Sequence, residues 1–401
     1  MHCHLLSKLL NWLRLNDSPL LTFICIISVG ISSCVPDLDE SNSSGLDLID
    51  SIEFETNMSI EERFSGNFEN DSNKKIYYFG NTATNASIKF FDEMGNFIFS
   101  TNLKEALEQG SNIYSLDVID IDSIIILGAH NNTLFVMNNQ GRVVTKKVVL
   151  DSERDQTRFL LNGSLMGDFV RGSSIICKAI WLPLNKNENS SYKDLIMNIA
   201  EMELTNSTIY KLDYLDNNLS MNVLDSINLY EKLEVNEGQY FRESTIYNVT
   251  DEHLIWYSEF SDLVFTVNIS DFTNYSQFEI KSDFTDIGTK PPKINDEFVN
   301  NKNAIGGGNL GGKILKVVYN KIVDKYFVLV LHQVEDVHDM QASRPFSILE
   351  FDDQFRKISE TKFDEKLYDY FLMSVNNGIL IQRKTKFETY NEQTLKFHYF
   401  E

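Results

Sequence analysis

The chain has 401 residues, 58 Asp and Glu against 36 Lys and Arg, and a formal net charge of −22. A surface so acidic excludes nucleic acid as a partner, because phosphate binding needs clustered Lys and Arg. The length suits one large all-β domain or two smaller ones, and no long amphipathic helix appears in it.

Residues 1–33 read as an export signal outside the fold, with Lys8 and Arg14 ahead of an apolar stretch, Leu20 to Ile31, that is short for a bilayer span. The stretch ends in Ile31-Ser32-Ser33-Cys34, small residues before a Cys, as in a bacterial lipobox. Cys34 is then the lipidation site and the mature N-terminus; the competing reading is an ordinary signal with an incidental Cys. Removing Lys8, Arg14 and Asp17 takes away one net positive charge and leaves −23. Residues 34–45 form an acidic tether, poor in core formers. Cys177, in an apolar run, is the remaining thiol and reads as a small core residue.

From Leu46 onward one pattern returns. Its clearest copy is Arg344 to Phe363, where Phe346, Ile348 and Phe351 mark a strand, Asp352-Asp353-Gln354 supply turn chemistry and Phe355 to Phe363 return. Relatives occur at Ile88 to Leu103 and Leu134 to Leu150, with weaker ones at Ile196 to Leu212, Leu263 to Ile280 and Ile379 to Phe400. The turns begin near Asp92, Asn138, Leu204, Ile269, Asp352 and Asn391, and the shorter intervals match the roughly 40 to 50 residues of a propeller blade. Apolar strands precede the hairpins, among them Ser123 to Ala129, His253 to Ser258 and Lys325 to His332, and one short helix is expected at Leu103 to Gln109. The expectation is an all-β, six-bladed β-propeller over residues 46–401, closed by pairing Leu46 to Glu55 into the last blade. Asn185 to Lys193, Asp216 to Tyr240 and Lys281 to Gly312 are expected to be loops over one face.

The six hairpins, the Arg-Pro-Phe-Ser-Ile-Leu-Glu-Phe-Asp run, the closing Tyr-Phe-Leu-Met-Ser-Val-Asn-Asn-Gly-Ile-Leu-Ile run and the lipobox together resemble an uncharacterised family of Bacteroidota propeller lipoproteins, whose fold is similar to NHL-repeat and TolB-like propellers. The resemblance implies an outer-membrane lipoprotein, displayed on the surface, with the periplasmic face as the alternative. It implies no reaction.

Candidate site residues fall in three groups. Arg158, Arg242 and Arg344, with Tyr240, sit beside aromatics or near expected loops and suit an anionic or sugar ligand, against ordinary ion pairing and core packing as the plainer readings. His332, Glu335, His338 and Asp339, with Asp336 between them, carry ligand types that suit a divalent cation, although their spacing matches no known metal motif and a polar loop explains them equally. Ser51 and Ser226 stand in Asp-Ser-Ile tripeptides of the kind O-glycosylated in Bacteroidota. Gly307 to Ile314 nearly spells a phosphate loop, but Ile314 replaces the Ser or Thr, and a strand is expected to follow. Trp181, Trp256 and Tyr257 read as core. No catalytic set and no cofactor is expected. The leading function is a monomeric, non-catalytic binding or scaffolding module for an envelope protein, glycan or other extracellular ligand; the alternative is a hydrolase or lyase acting on a carbohydrate or lactone with an ion in the central channel.

Overall fold

The computed structural model divides the chain into two units, 1–44 and 45–401. It describes residues 45–56, 63–70, 72, 74–81, 86–110, 113–128, 133–148, 157–161, 174–183, 208–213, 220–224, 245–249, 253–258, 261–268, 271–288, 311–334, 344–384 and 394–401. For 157–161, 174–183, 208–213, 220–224 and 245–249 it describes the backbone alone.

The second unit is an all-β propeller. Its described strands form six four-stranded antiparallel sheets. In chain order the first joins β2 (Arg63–Glu69), β3 (Lys75–Asn81), β4 (Ser87–Phe91) and β5 (Phe97–Asn102), and the second β6 (Ile113–Asp120), β7 (Ser123–Gly128), β8 (Thr133–Met137) and β9 (Val143–Val148). The third joins β10 (Thr157–Leu161), β11 (Ser174–Pro183), β12 (Thr208–Asp213) and β13 (Ser220–Leu224), and the fourth β14 (Thr245–Val249), β15 (His253–Ser258), β16 (Leu263–Asn268) and β17 (Asp271–Glu279). The fifth joins β18 (Lys313–Asn320), β19 (Lys325–Leu331), β20 (Phe346–Asp352) and β21 (Lys357–Phe363). In the last, β22 (Tyr368–Val375), β23 (Gly378–Arg383) and β24 (Leu395–Phe400) are completed by β1 (Leu48–Phe54). Side-chain packing is described for five of these sheets; for the β10–β13 sheet only the backbone ladder is.

Middle strands are apolar on both faces, as burial between neighbouring sheets demands: β19 is Lys-Tyr-Phe-Val-Leu-Val-Leu and all but its first residue are buried. The cores therefore lie between sheets. One joins Ile88 and Phe90 to Ile124, Ile126 and Phe135; others join Ile255 and Tyr257 to Val317 and Val328, and Leu329 and Ile348 to Ile379 and Ile381. The first strands of neighbouring sheets lie against each other, β2 on β6, β14 on β18 and β18 on β22. Polar ties bridge two of these joints and the closing one: Tyr78 donates to Asp117 Oδ1 at 2.6 Å and Lys316 Nζ to the Leu372 carbonyl at 2.8 Å, while Asn67 Nδ2 of the first sheet donates to the Ser374 carbonyl of the last at 3.1 Å.

The hairpin turns share one geometry. The backbone amides of Met94 and Asn96 donate to Asp92 Oδ1, those of Gln140 and Arg142 to Asn138 Oδ1, and those of Gln354 and Arg356 to Asp352 Oδ1. Such Asx turns need a left-handed residue before the chain resumes. Gly95 (φ 84°) and Gly141 (φ 77°) supply it, and in the fifth sheet Phe355 does (φ 55°). Both glycines press on the preceding sheet's outer strand: a Cβ at Gly95 would lie 2.3 Å from the Glu53 carbonyl, and one at Gly141 2.5 Å from that of Asn102. At the fifth sheet the same position holds a phenyl ring stacked 4.4 Å from Phe278 of β17 and 4.1 Å from Tyr326. Its packing offsets the cost of a left-handed aromatic residue.

The expected helix is present as α1 (Lys104–Gly110), with Asn102 Oδ1 accepting from the Lys104 amide as a cap. The expected closure is present too, with Leu48 opposite Phe400 and Phe54 opposite Leu395. Two expectations are corrected. The third hairpin is β12 with β13, a strand later than Ile196 to Leu212 suggests, and β13 lies inside Asp216 to Tyr240, which reads as a loop. Asp216-Asn217-Asn218 is the chemistry of a turn between strands, and Ser-Met-Asn-Val-Leu is too short and polar to announce itself as one. The strands β2 and β3 were also not marked by the hairpin pattern. The turns expected near Leu204, Ile269 and Asn391 lie outside the described residues.

Phe54 is fully buried at the closing joint, its ring centroid 5.2 Å from Tyr77, 5.0 Å from Phe79, 5.4 Å from Phe91 and 5.6 Å from Phe397. Replacing Phe54→Ala is expected to cost about 3–5 kcal/mol, read as a fall in the urea midpoint. Replacing the exposed Glu53→Ala is expected to stay within about 1 kcal/mol of wild type.

Candidate functional site

The connections differ at the two ends of the strands. At one end most are tight, 70–74, 92–96, 121–122, 138–142, 321–324, 353–356 and 376–377, with 162–173 as a longer exception. At the other lie 184–207, 225–244, 280–312, 332–345 and 384–394. Described parts of this long-connection end converge at one corner of the fifth sheet. His332 follows β19, Arg344 precedes β20, Phe284 and Thr285 follow β17, Gly311 precedes β18 and Tyr370 belongs to β22.

His332 and Arg344, assigned by sequence to different groups, are brought together here. Arg344 is buried, and its guanidinium reaches backbone: Nε donates to the His332 carbonyl at 2.9 Å, and Nη2 to the Gly311 carbonyl at 2.6 Å and to that of His332. Tyr370 closes the other side, donating to the Arg344 carbonyl at 3.0 Å and accepting from its amide. Three chain segments are thereby pinned to one planar fork, a geometry a lysine ammonium does not reproduce. The His332 ring stacks on Phe284 at 5.9 Å, and Lys362 Nζ lies 5.8 Å over the other partner of that stack, the Phe284 ring. Burial, and then the positive charges of Lys362 and Arg344, hold the His332 imidazole down at about 4, against the opposing pull of Glu360. It is therefore neutral at physiological pH. Among the described residues no partner reaches its Nε2.

Next to it is a buried carboxylate. Glu360 accepts from Ser282 Oγ (2.5 Å), the Asp283 amide (2.7 Å), Ser347 Oγ (2.6 Å) and Lys357 Nζ (2.6 Å), while Lys357 also pairs with Asp283 at 2.9 Å. Burial alone pushes Glu360 up, but those donors outweigh it and hold the group below the usual carboxylate range. This clasp ties the segment after β17 to the outer strand of the next sheet, and Ile287 bridges Gly312 beside it. It joins elements far apart in sequence, so no spacing signal announces it.

The remaining sequence candidates separate. Tyr240, Arg242, Glu335, Asp336, His338, Asp339, Ser226 and Cys34 lie outside the described residues, and of Arg158 only the backbone is described, in β10. Among the described residues no group of three or more His, Cys, Asp or Glu is arranged to hold a metal ion. Ser51 is exposed on β1. Trp256 and Tyr257 are buried in β15, where the Tyr257 hydroxyl accepts from the Val317 amide at 3.2 Å, so they are core. Ile314 is buried in β18, so a strand follows the glycine-rich run as expected. Among the described residues no helix is long and apolar enough to cross a membrane.

Two measurements follow from this corner. Arg344→Lys should lower unfolding free energy by about 2–3 kcal/mol, because buried carbonyls lose a charged donor, whereas Arg356→Lys at an exposed pair should change it little. His332 gives a pH signature: as pH falls below about 6.5 the unfolded chain takes up a proton that the folded chain refuses until about 4. Stability is thus present above that window and lost within it. Between pH 7 and 5 the loss should be about 2 kcal/mol, and His332→Gln should remove it in urea titrations at the two pH values.

No protein-family profile matches the chain, and no curated protein matches it. Solved structures do. A member of the DUF4221 family from Bacteroides vulgatus aligns over 90% of this chain and 98% of its own, with a TM-score of 0.65 at 18% identity. A Bacteroides fragilis protein provisionally named as exported aligns over 90% and 97% with a TM-score of 0.48 at 10% identity. An oligogalacturonate lyase in complex with manganese aligns over 81% and 78% with a TM-score of 0.43 at 10% identity. The first of these likenesses establishes that the chain shares the fold of the Bacteroides vulgatus protein along nearly the whole length of both.

Proposed function

We propose that this chain is an exported, lipid-anchored lipoprotein whose six sheets are the blades of one ring, and that the ring is a non-catalytic binding module presenting its long connections to an envelope protein or extracellular ligand. The observation that carries this reading is the asymmetry of the connections: mostly tight turns at one end of the strands, where only 162–173 exceeds six residues, and at the other the long connections 184–207, 225–244, 280–312, 332–345 and 384–394. Loops raised on a rigid frame are where recognition is built, since they vary without disturbing the core. The His332 and Arg344 corner supports it, because buried hydrogen bonds fix the roots of two of those loops. Tyr240 and Arg242, in the second of the long connections, are the residues assigned to contact. A divalent cation at His332, Glu335, His338 and Asp339 would be a further element of that face. Cys34 carries the acyl anchor at the outer membrane, on the surface side.

The test is native capture from detergent-solubilised outer membranes, with partners and intact mass read by mass spectrometry. A stoichiometric partner, lost at least ~10-fold on the double change Tyr240→Ala and Arg242→Ala but retained in Glu93→Ala at a tight turn, is the expected result. A protein recovered alone overturns partner binding. The intact mass should equal the polypeptide from Cys34 plus its acyl chains; that mass with nothing further removes glycosylation at Ser51 and Ser226, and one without acyl chains removes the anchor.

A further inference from the structure

We propose that Asn377 is a deamidation site that the folded last sheet holds unreactive, so that the covalent state of the Asn377–Gly378 bond records whether that sheet has been open. Asn is chemically labile before Gly, because glycine has no side chain to shield its amide. The Gly378 nitrogen attacks the Asn377 side-chain carbonyl carbon, the carbon–nitrogen bond of the side-chain amide breaks, and ammonia leaves with the proton that Gly378 gives up. A cyclic imide results. Water then opens it at either carbonyl, giving aspartate or isoaspartate, and nothing is oxidised or reduced.

The fold withholds the first step. Val375 pairs with Gly378, which leaves Asn376 and Asn377 as the turn, with Asn376 left-handed (φ 41°). Asn320, at the end of β18 in the neighbouring sheet and only 2% exposed, donates through Nδ2 to the Asn376 carbonyl at 3.0 Å and to the Gly378 carbonyl at 2.9 Å. The peptide bonds before and after the reactive one are thereby held. The Asn377 amide donates to the Tyr399 hydroxyl, and Gly378 lies so near the Phe400 carbonyl that a Cβ there would stand 1.9 Å from it. Attack requires the Asn377 backbone to rotate until its side chain reaches the next nitrogen, and that rotation parts Gly378 from Asn320 and Phe400. The Asn377 side chain is exposed, so water reaches it, and geometry rather than burial stops the reaction.

Those restraints come from β24 and from the fifth sheet, so they exist only while the last sheet is complete and packed on its neighbour. Reaction in the open chain is not undone by closing it. Isoaspartate routes the main chain through the side-chain carbon and lengthens it within a turn that has no slack. Gly378 then cannot meet Phe400 while β23 keeps Ile379 opposite Phe400 and Ile381 opposite His398. The carbonyls that Asn320 binds are displaced as well, which leaves a buried amide without acceptors. Aspartate leaves the main chain unchanged and preserves the turn.

The test incubates the full chain at one mildly alkaline pH, in buffer and in guanidinium chloride above its unfolding midpoint, and follows the peptide carrying Asn377 by mass spectrometry. The chain's other Asn-Gly pair, Asn162–Gly163, lies outside the described residues and is read from a separate peptide. Conversion at Asn377 should be at least ~10-fold faster in denaturant than in buffer, since the folded chain reacts only through local opening. Equal rates, or an Asn377 that stays intact in denaturant, overturn the proposal. Phe54→Ala and Asn320→Ala, which loosen the last sheet's joints, should each speed conversion in buffer; no acceleration in either overturns the protection by packing. After dilution from denaturant, isoaspartate at 377 should be enriched in the chains that do not refold, while Asn377→Asp refolds as the unsubstituted chain does. Isoaspartate shared equally between refolded and unfolded chains, or an Asn377→Asp chain that fails to refold, overturns the role given to the lengthened backbone.

Discussion

A propeller must join its first strand to its last, and here that joint rests on one aromatic side chain. Phe54 belongs to the strand nearest the N-terminus, is paired in register to Leu395 and packs its ring among Tyr77, Phe79 and Phe91 of the first sheet and Phe397 of the last. Edge-to-face and tilted contacts of this kind add to the area they bury. Closure of this kind leaves the last and first sheets without a free face towards each other. The other described joints mix aliphatic packing with aromatic contacts, such as Phe355 on Phe278 and Phe363 on Phe400, and with polar ties. The closing joint alone has to gather segments separated by the length of the domain, and it carries the densest ring cluster among the described residues.

The second recurring device is the Asx turn and its left-handed residue. In the first and second sheets this residue is glycine, and the backbone comes so near the previous outer strand that no Cβ fits. In the fifth sheet the same turn is set by Asp352, yet Phe355 occupies the left-handed position and reaches back to Phe278 and Tyr326. One joint is made by bare backbone and the other by a stacked ring. The spacing between outer strands therefore need not be uniform around the propeller, because the turn residue adjusts it.

The strands with the strongest alternation or longest apolar runs were legible in the sequence, as were the turns led by Asp92, Asn138 and Asp352 and the pairing of the N-terminal strand into the last sheet. Those features are local, or depend on a count of strands. β13 was not legible, since five residues with a single apolar alternation, Met221 and Val223, are too short to establish a period, and the Asp-Asn-Asn run before it resembled loop chemistry. The corner was half legible. His332 and Arg344 drew notice as residue types, but their actual roles, a neutral stacked imidazole and a fork that pins carbonyls, follow from Gly311, Tyr370 and Phe284, which only the fold brings together. The Glu360 clasp was illegible for the same reason: its donors come from positions 282, 283, 347 and 357, and only strand register puts them in reach.

The pairing of β1 with β24 also sets an order of events. A chain made from its N-terminus presents Leu48–Phe54 first, but the strand that receives it, Leu395–Phe400, comes far later. Until then β1 is an unpaired edge with an exposed Phe54, open to wrong partners, and the longest sequence separation in the domain must be bridged before the ring can lock. Loss of β24 would leave the middle sheets paired among themselves and β1 without its partner, an open edge where the ring should lock.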